Sequence, residues 1–87
     1  MFYVYALLSD QNKDIYIGYS EDLKKRLTEH NNGLVMPTKG YRPWKLVYYE
    51  AYIAKLDATK REVQLKKNHR SKKDLKIQIS NSLKSMY

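Results

Sequence analysis

The chain opens in one hydrophobic regime and then changes to another. From Phe2 to Leu8 nearly every residue is apolar or aromatic, with Tyr3, Tyr5 and Leu7 on one face of an extended segment and Val4, Ala6 and Leu8 on the other. Apolar character on both faces predicts a central strand covered on both sides. A polar stretch from Ser9 to Asp14 leads into a second run, Ile15-Tyr16-Ile17-Gly18-Tyr19. Two such runs with a short polar link predict an antiparallel hairpin, its second strand spanning Asp14 to Tyr19. Gly18 weakens a strand interior, so it signals a bend, a bulge or a close approach to the backbone.

The period then becomes helical. Ser20 reads as an N-cap, with Glu21 and Asp22 in a first turn whose dipole favours acids. Leu23, Arg26, Leu27 and His30 fall at i, i+3, i+4 and i+7, one stripe with two polar members. Lys24, Lys25, Thr28 and Glu29 supply the solvent face, which puts Arg26 and His30 at the edge of the sheet-facing side. Gly33 is a natural stop. Leu34 to Trp44 is expected to be irregular, broken by Pro37, Gly40 and Pro43, and basic and aromatic through Lys39, Tyr41, Arg42 and Lys45. Leu46 to Ile53 reads as a third strand. A second helix is expected to begin between Leu56 and Ala58, with Asp57 as cap, and to end near Lys67, placing Ala58, Glu62 and Leu65 on one face. A third opens on a capping-box pattern, Ser71 and Asp74, and continues in the stripe Leu75, Ile79 and Leu83. The order β-β-α-β-α-α predicts a single domain over residues 1–87: an α+β fold with a small three-stranded antiparallel sheet flanked by three helices.

Composition narrows the function. Seventeen Lys and Arg against nine Asp and Glu leave a net charge of +8 on 87 residues. That balance points to a polyanionic partner, and nucleic acid is the commonest. A basic surface without a partner, or an adaptor for an acidic protein, would carry the same charge. With no cysteine there is neither a disulfide nor a thiolate metal site, and a reducing, cytoplasmic setting is expected. No apolar run approaches about 18 residues, so no membrane span is expected. The N-terminus lacks the basic region of a secretory signal. Nine tyrosines suit half-buried and binding surfaces.

Taken alone, the polar residues have ordinary readings. Tyr5 and Tyr16 could be cross-strand packing aromatics. Arg26 could pair with Glu62, His30 could be a satisfied edge residue, and Glu62 a solvated helix position. Their order along the chain says more. Tyr3-Val4-Tyr5, ten intervening residues, then Tyr16-Ile17-Gly18 resembles the paired signature of the GIY-YIG nuclease superfamily. Asp22 to Asn31 resembles that family's first helix, with its signature arginine at Arg26. Arg42 to Tyr48 resembles its loop and third strand. Ala58 through Glu62 to Lys66 resembles the helix bearing the family's metal-binding glutamate. The spacing, and His30-Asn31 after the arginine, are most similar to the small stand-alone branch, single-domain bacterial proteins related to the Slx-type structure-specific endonucleases. The similarity spans Phe2 to Leu75. Tyr3 stands where the superfamily name has glycine, a departure common in that branch.

The resemblance implies a metal-dependent endonuclease that hydrolyses DNA phosphodiester bonds, with a role in DNA repair. Tyr5 would be general base to the attacking water, with Tyr16 beside it, and Arg26 would hold the phosphate and stabilise its growing charge. Glu62 would ligate one Mg²⁺ or Mn²⁺, and His30 would orient the water or relay a proton. A phenol of pKa about 10 is a poor base at neutral pH, so the site is expected to favour phenolate. Lys39, Arg42, Lys66 and Arg70 are candidate nucleic-acid contacts, the last two within the basic run from Lys66 to Lys73, which could equally be a solvated cap. DNA, branched or otherwise structured, is the expected partner, with RNA compatible. Without cysteines for an appended zinc site, selectivity would come from substrate shape or from a partner protein. The alternative is a non-catalytic nucleic-acid-binding module that retains the fold and its basic face.

Overall fold

The computed structural model describes residues 1–85. Its two-faced first segment forms β1 (Phe2–Ser9), which pairs antiparallel with β2 (Ile15–Ser20) from Tyr3 opposite Ser20 to Leu8 opposite Ile15. The buried Ser9 holds the turn, its hydroxyl accepting from the Gln11 and Asn12 amides at 3.1 and 3.2 Å and donating to the Tyr41 carbonyl at 2.7 Å. β3 (Trp44–Tyr52) adds antiparallel to the other side of β1, with a register shift between Ala6 and Leu7, so the strand order is β2-β1-β3. β1 is therefore central, as apolar residues on both of its faces require.

Each face of the sheet has its own core. On one, Val4, Ala6, Leu8, Ile15 and Ile17 pack against Ala58 and Leu65 of α2 (Lys55–Lys67), Leu75 of α3 (His69–Gln78) and Ile79. On the other, Tyr5, Leu7 and Trp44 pack with Tyr16, Leu46 and the leucines Leu23 and Leu27 of α1 (Leu23–Asn31). Lys72 reaches across from α3 to donate to the Ile15 carbonyl at 3.2 Å. The last helical stretch breaks at Ile79 and resumes as α4 (Ser80–Ser85).

Helix starts differ from the sequence expectations for local reasons. β2 extends through Ser20, whose hydroxyl is engaged with the Asp22 backbone, so the chain turns two residues later than expected. Asp22 is the cap of α1 and accepts from the Lys25 amide at 3.1 Å; neither Glu21 nor Asp22 lies in the first turn. α2 begins behind Ala54, which has no capping side chain, and Asp57 lies inside its first turn. Asn68, not Ser71, caps α3 by accepting from the Ser71 amide at 3.1 Å. The stretch expected to be irregular contains a short 3-10 helix (Met36–Tyr41), started by Pro37 with its preset φ. β3 starts at Trp44 because that residue pairs with Ser9, and Ile53 is exposed beyond the sheet.

Candidate active site

Tyr5 projects from β1 directly opposite Gly18 of β2. A Cβ at position 18 would overlap the Tyr5 phenol ring, so the glycine is the space that the ring occupies. Only 2 % of Tyr5 is exposed, and its hydroxyl lies 2.7 Å from His30 Nε2. His30 Nδ1 lies 2.7 Å from the Thr38 hydroxyl, which donates its single proton to the Val35 carbonyl at 3.2 Å. With that proton on Val35, Thr38 accepts from His30 Nδ1–H, and Nε2 is the ring's acceptor. The Tyr5 O–H donates to that nitrogen. His30 and Thr38 are fully buried.

Neighbouring residues lock this chain of hydrogen bonds. Trp44 Nε1 donates to the Thr38 carbonyl at 2.9 Å, and the Trp44 backbone is clasped by the Asn31 side chain at 2.7 and 3.0 Å. The Tyr16 ring stands edge-on to His30, with centroids 5.2 Å apart. Thr38 was not legible as a site residue: a threonine in a proline- and glycine-broken stretch gives no sequence signal of burial.

Burial dominates the electrostatics. Tyr5 is pushed up to about 12, chiefly by desolvation; the Arg26 guanidinium beside its hydroxyl opposes the shift, and the charges of Tyr16 and Glu62 add to it. The expected preference for phenolate is therefore absent in the free protein. His30 is pushed down to about 4 by burial first and Arg26 second, so it is a neutral acceptor at physiological pH. Because the folded state holds His30 below its ordinary 6.5, the unfolded chain binds more protons between those values. Stability from this group is complete above about 6.5 and falls as pH drops toward 4. Glu50, held below its ordinary 4.5 by Arg61, Tyr48 and Tyr52 against the cost of burial, adds its loss only beneath that value. Urea midpoints should thus decline from pH 7 to 5, and His30→Gln should flatten that decline; an unchanged slope would contradict the assignment.

Arg26 and Glu62 complete the neighbourhood. Arg26 pairs with Glu29 at 3.2 Å rather than with Glu62, and its Nε is buried with no hydrogen-bond partner. The Tyr19 hydroxyl is also buried without one. Both residues line an open cavity of about 300 Å³ with Ser20, Glu21, Asp22, Lys25 and Glu29. Nothing in the sequence marked Tyr19 as part of the site. Glu62 is partly buried, its side chain 21 % exposed, and it pairs with Lys66 at 3.0 Å. Lys66 Nζ lies 5.4 Å from the Tyr16 ring centroid, and the Glu62 charge also raises Tyr5 and Tyr19. One residue before Glu62, Arg61 forks onto Glu50 at 2.9–3.1 Å, while Tyr48 donates to the same carboxylate at 2.6 Å, tying α2 to β3.

Among the described residues no three His, Asp or Glu side chains gather as a metal cage. A lone, partly buried carboxylate fits Mg²⁺ or Mn²⁺, hard cations that take one or two carboxylates and complete their shell with water and phosphate oxygens. Of the four candidate nucleic-acid cations, Lys66 lies at the site through Glu62 and Tyr16. Lys39 and Arg42 stand exposed in the α1–β3 connection, and Arg70 is exposed in the first turn of α3.

A family model described as the GIY-YIG catalytic domain matches residues 1–75. A UPF0213 protein of Clostridium perfringens is 40% identical over 85 residues, covering 97% of this chain and 89% of its own. Another, from Staphylococcus saprophyticus, is 40% identical over 72 residues, covering 82% and 87%. The solution NMR structure of a UPF0213 protein from Bacillus halodurans superposes with a TM-score of 0.55 at 31% identity, over 91% of this chain and 85% of that one. No helix among the described residues is long and apolar enough to cross a membrane. The hairpin tyrosines, the helix arginine and the matched span thus have one source: the chain belongs to the GIY-YIG family, among its small UPF0213 proteins.

Proposed function

We propose that this protein is a divalent-metal-dependent endonuclease that hydrolyses DNA phosphodiester bonds by in-line attack of water. One observation carries the reading: the buried chain Tyr5–His30–Thr38, with a bare Nε2 at the tyrosine and Arg26 alongside. A cross-strand packing tyrosine needs no histidine held in a fixed tautomer behind it.

The arrangement permits water to be activated without a standing phenolate. Tyr5 takes a proton from the water as it gives its own to His30 Nε2, and the imidazolium keeps its Nδ1–H bond to Thr38. In the free protein both shifts oppose this transfer. A phosphate against Arg26 would offset that residue's share of the His30 depression, which is second to burial, making His30 a better acceptor when substrate is bound. The unpartnered Arg26 Nε is a donor available to that phosphate, whose charge grows in the transition state. Glu62 would hold the metal, which supplies positive charge to the phosphate oxygens and acidifies a bound water. Lys66 would then lose its carboxylate and turn to the nucleic acid.

The test is cleavage of plasmid, branched and single-stranded DNA with Mg²⁺ or Mn²⁺, with Glu62→Ala run in parallel. Wild-type cleavage should fall by at least about 10²-fold in the variant, the scale on which removal of a transition-state charge stabiliser acts. Cleavage equal in both would exclude the mechanism. Retained binding without cleavage would favour the binding-module reading, to which the Lys66–Glu62 pair also lends itself, since it already satisfies that carboxylate.

A further inference from the structure

The connection from α1 to β3 buries one apolar and one polar side chain and turns two apolar ones outward. Val35 and Thr38 are buried, Thr38 against His30, while Leu34 and Met36 are 71% and 79% exposed. This is no loose loop. The Leu34 amide donates to the Glu29 carbonyl at 3.0 Å, the Thr38 amide to Val35 at 3.1 Å, Trp44 Nε1 to Thr38, and Arg42 Nε to the Lys39 carbonyl at 2.8 Å. The Arg42 guanidinium lies over Gly33, where a Cβ would come within 2.7 Å of Nη1. Gly33 needs its freedom for this contact and for its φ of 76°. Among the described residues, neither Lys39 nor Arg42 has a carboxylate within ion-pair distance.

Exposed apolar side chains on a hydrogen-bonded backbone, with two cations in the same segment, match a nucleic acid whose bases are out of the stack. Apolar side chains can occupy an opened base step, while the cations hold phosphates on either side. A second copy of the chain is a poor occupant, because this face would meet its own two cations on a molecule of net charge +8. We propose that the segment Leu34–Arg42 is the docking element for unpaired or unstacked nucleotides, with Leu34 and Met36 against the base and Lys39 and Arg42 on the flanking phosphates. The inference rests on the nuclease reading and deepens it: it names the substrate as DNA with unpaired nucleotides and places their contact one hydrogen bond, through Thr38, from His30.

The experiment reads binding, not cleavage. In EDTA, a fluorescent duplex is titrated beside the same duplex carrying unpaired nucleotides, with 2-aminopurine at the unpaired position. The wild-type protein should bind the second about tenfold more tightly, the effect of stacking or wedging one base. Leu34→Ser with Met36→Ser should remove that preference and the 2-aminopurine signal while leaving duplex affinity unchanged; both residues are exposed, so folding is not at stake. Lys39→Ala with Arg42→Ala should weaken both substrates alike and reduce the salt slope by about two. Equal wild-type affinity for the two substrates, or a preference that survives the serine substitutions, would overturn the proposal. So would a dimer in sedimentation that those substitutions dissolve. A protein that shows the preference but never cuts keeps this docking element and loses the nuclease reading; one that cuts without preference does the reverse.

Discussion

Tyr5→Phe should lower single-turnover cleavage by about 10²- to 10⁴-fold, the range that general acid–base groups contribute, with DNA affinity nearly unchanged. The ring stays in its slot opposite Gly18, so the fold persists. What is lost is the hydroxyl that lies 2.7 Å from His30 Nε2. That nitrogen becomes a buried acceptor without a donor, which costs about 1–3 kcal/mol of stability. Circular dichroism and urea unfolding would separate this modest loss from the kinetic one. A rate within a few-fold of wild type would move the proton transfer to another residue.

Gly18→Ala should be nearly as damaging to the rate, although position 18 bears no reacting group. Its new Cβ would occupy space that the Tyr5 ring holds, and the ring is anchored on a central strand between two cores. Either the ring swings, pulling its hydroxyl from His30, or the β1–β2 pairing gives way. Overpacking of this kind costs about 1–3 kcal/mol. Misplacing a catalytic hydroxyl by about 1 Å can cost about 10²-fold in rate. A double-mutant cycle with Tyr5→Leu isolates the cause: with the ring removed, Gly18→Ala should cost much less stability. Additive costs would mean that Gly18 serves the backbone and not the ring.

The sheet and the tyrosine pair were legible because they rest on periodicity and spacing. Apolar character on both faces of Phe2–Leu8 required a central strand, and β1 is one. The glycine at position 18 signalled a bend, a bulge or a close approach, and in the structure the Tyr5 ring takes the space a Cβ would need. Helix starts were read one to three residues off, where several caps competed at α1 and where α2 begins behind Ala54 with no capping side chain. Ser20, Glu21 and Asp22 are all good caps, and the choice fell to Asp22 because β2 runs on through Ser20. Less legible still were the residues that act through tertiary contact. Thr38 meets His30 from a stretch without periodicity, and Tyr19 joins the site only once α1 is packed on the sheet. The protonation state was misjudged for a related reason: burial of Tyr5 outweighs the arginine beside it, and burial is not visible in a motif.

The central claim is that Tyr5 and His30 activate water to attack phosphorus directly. It is tested by one single-turnover reaction with Mn²⁺ in H₂¹⁸O, with mass spectrometry of both product and protein. The account predicts one ¹⁸O on the new terminal phosphate and a protein of unmodified mass at every time point. No product, or a nucleotide covalently attached at Tyr5, would contradict it.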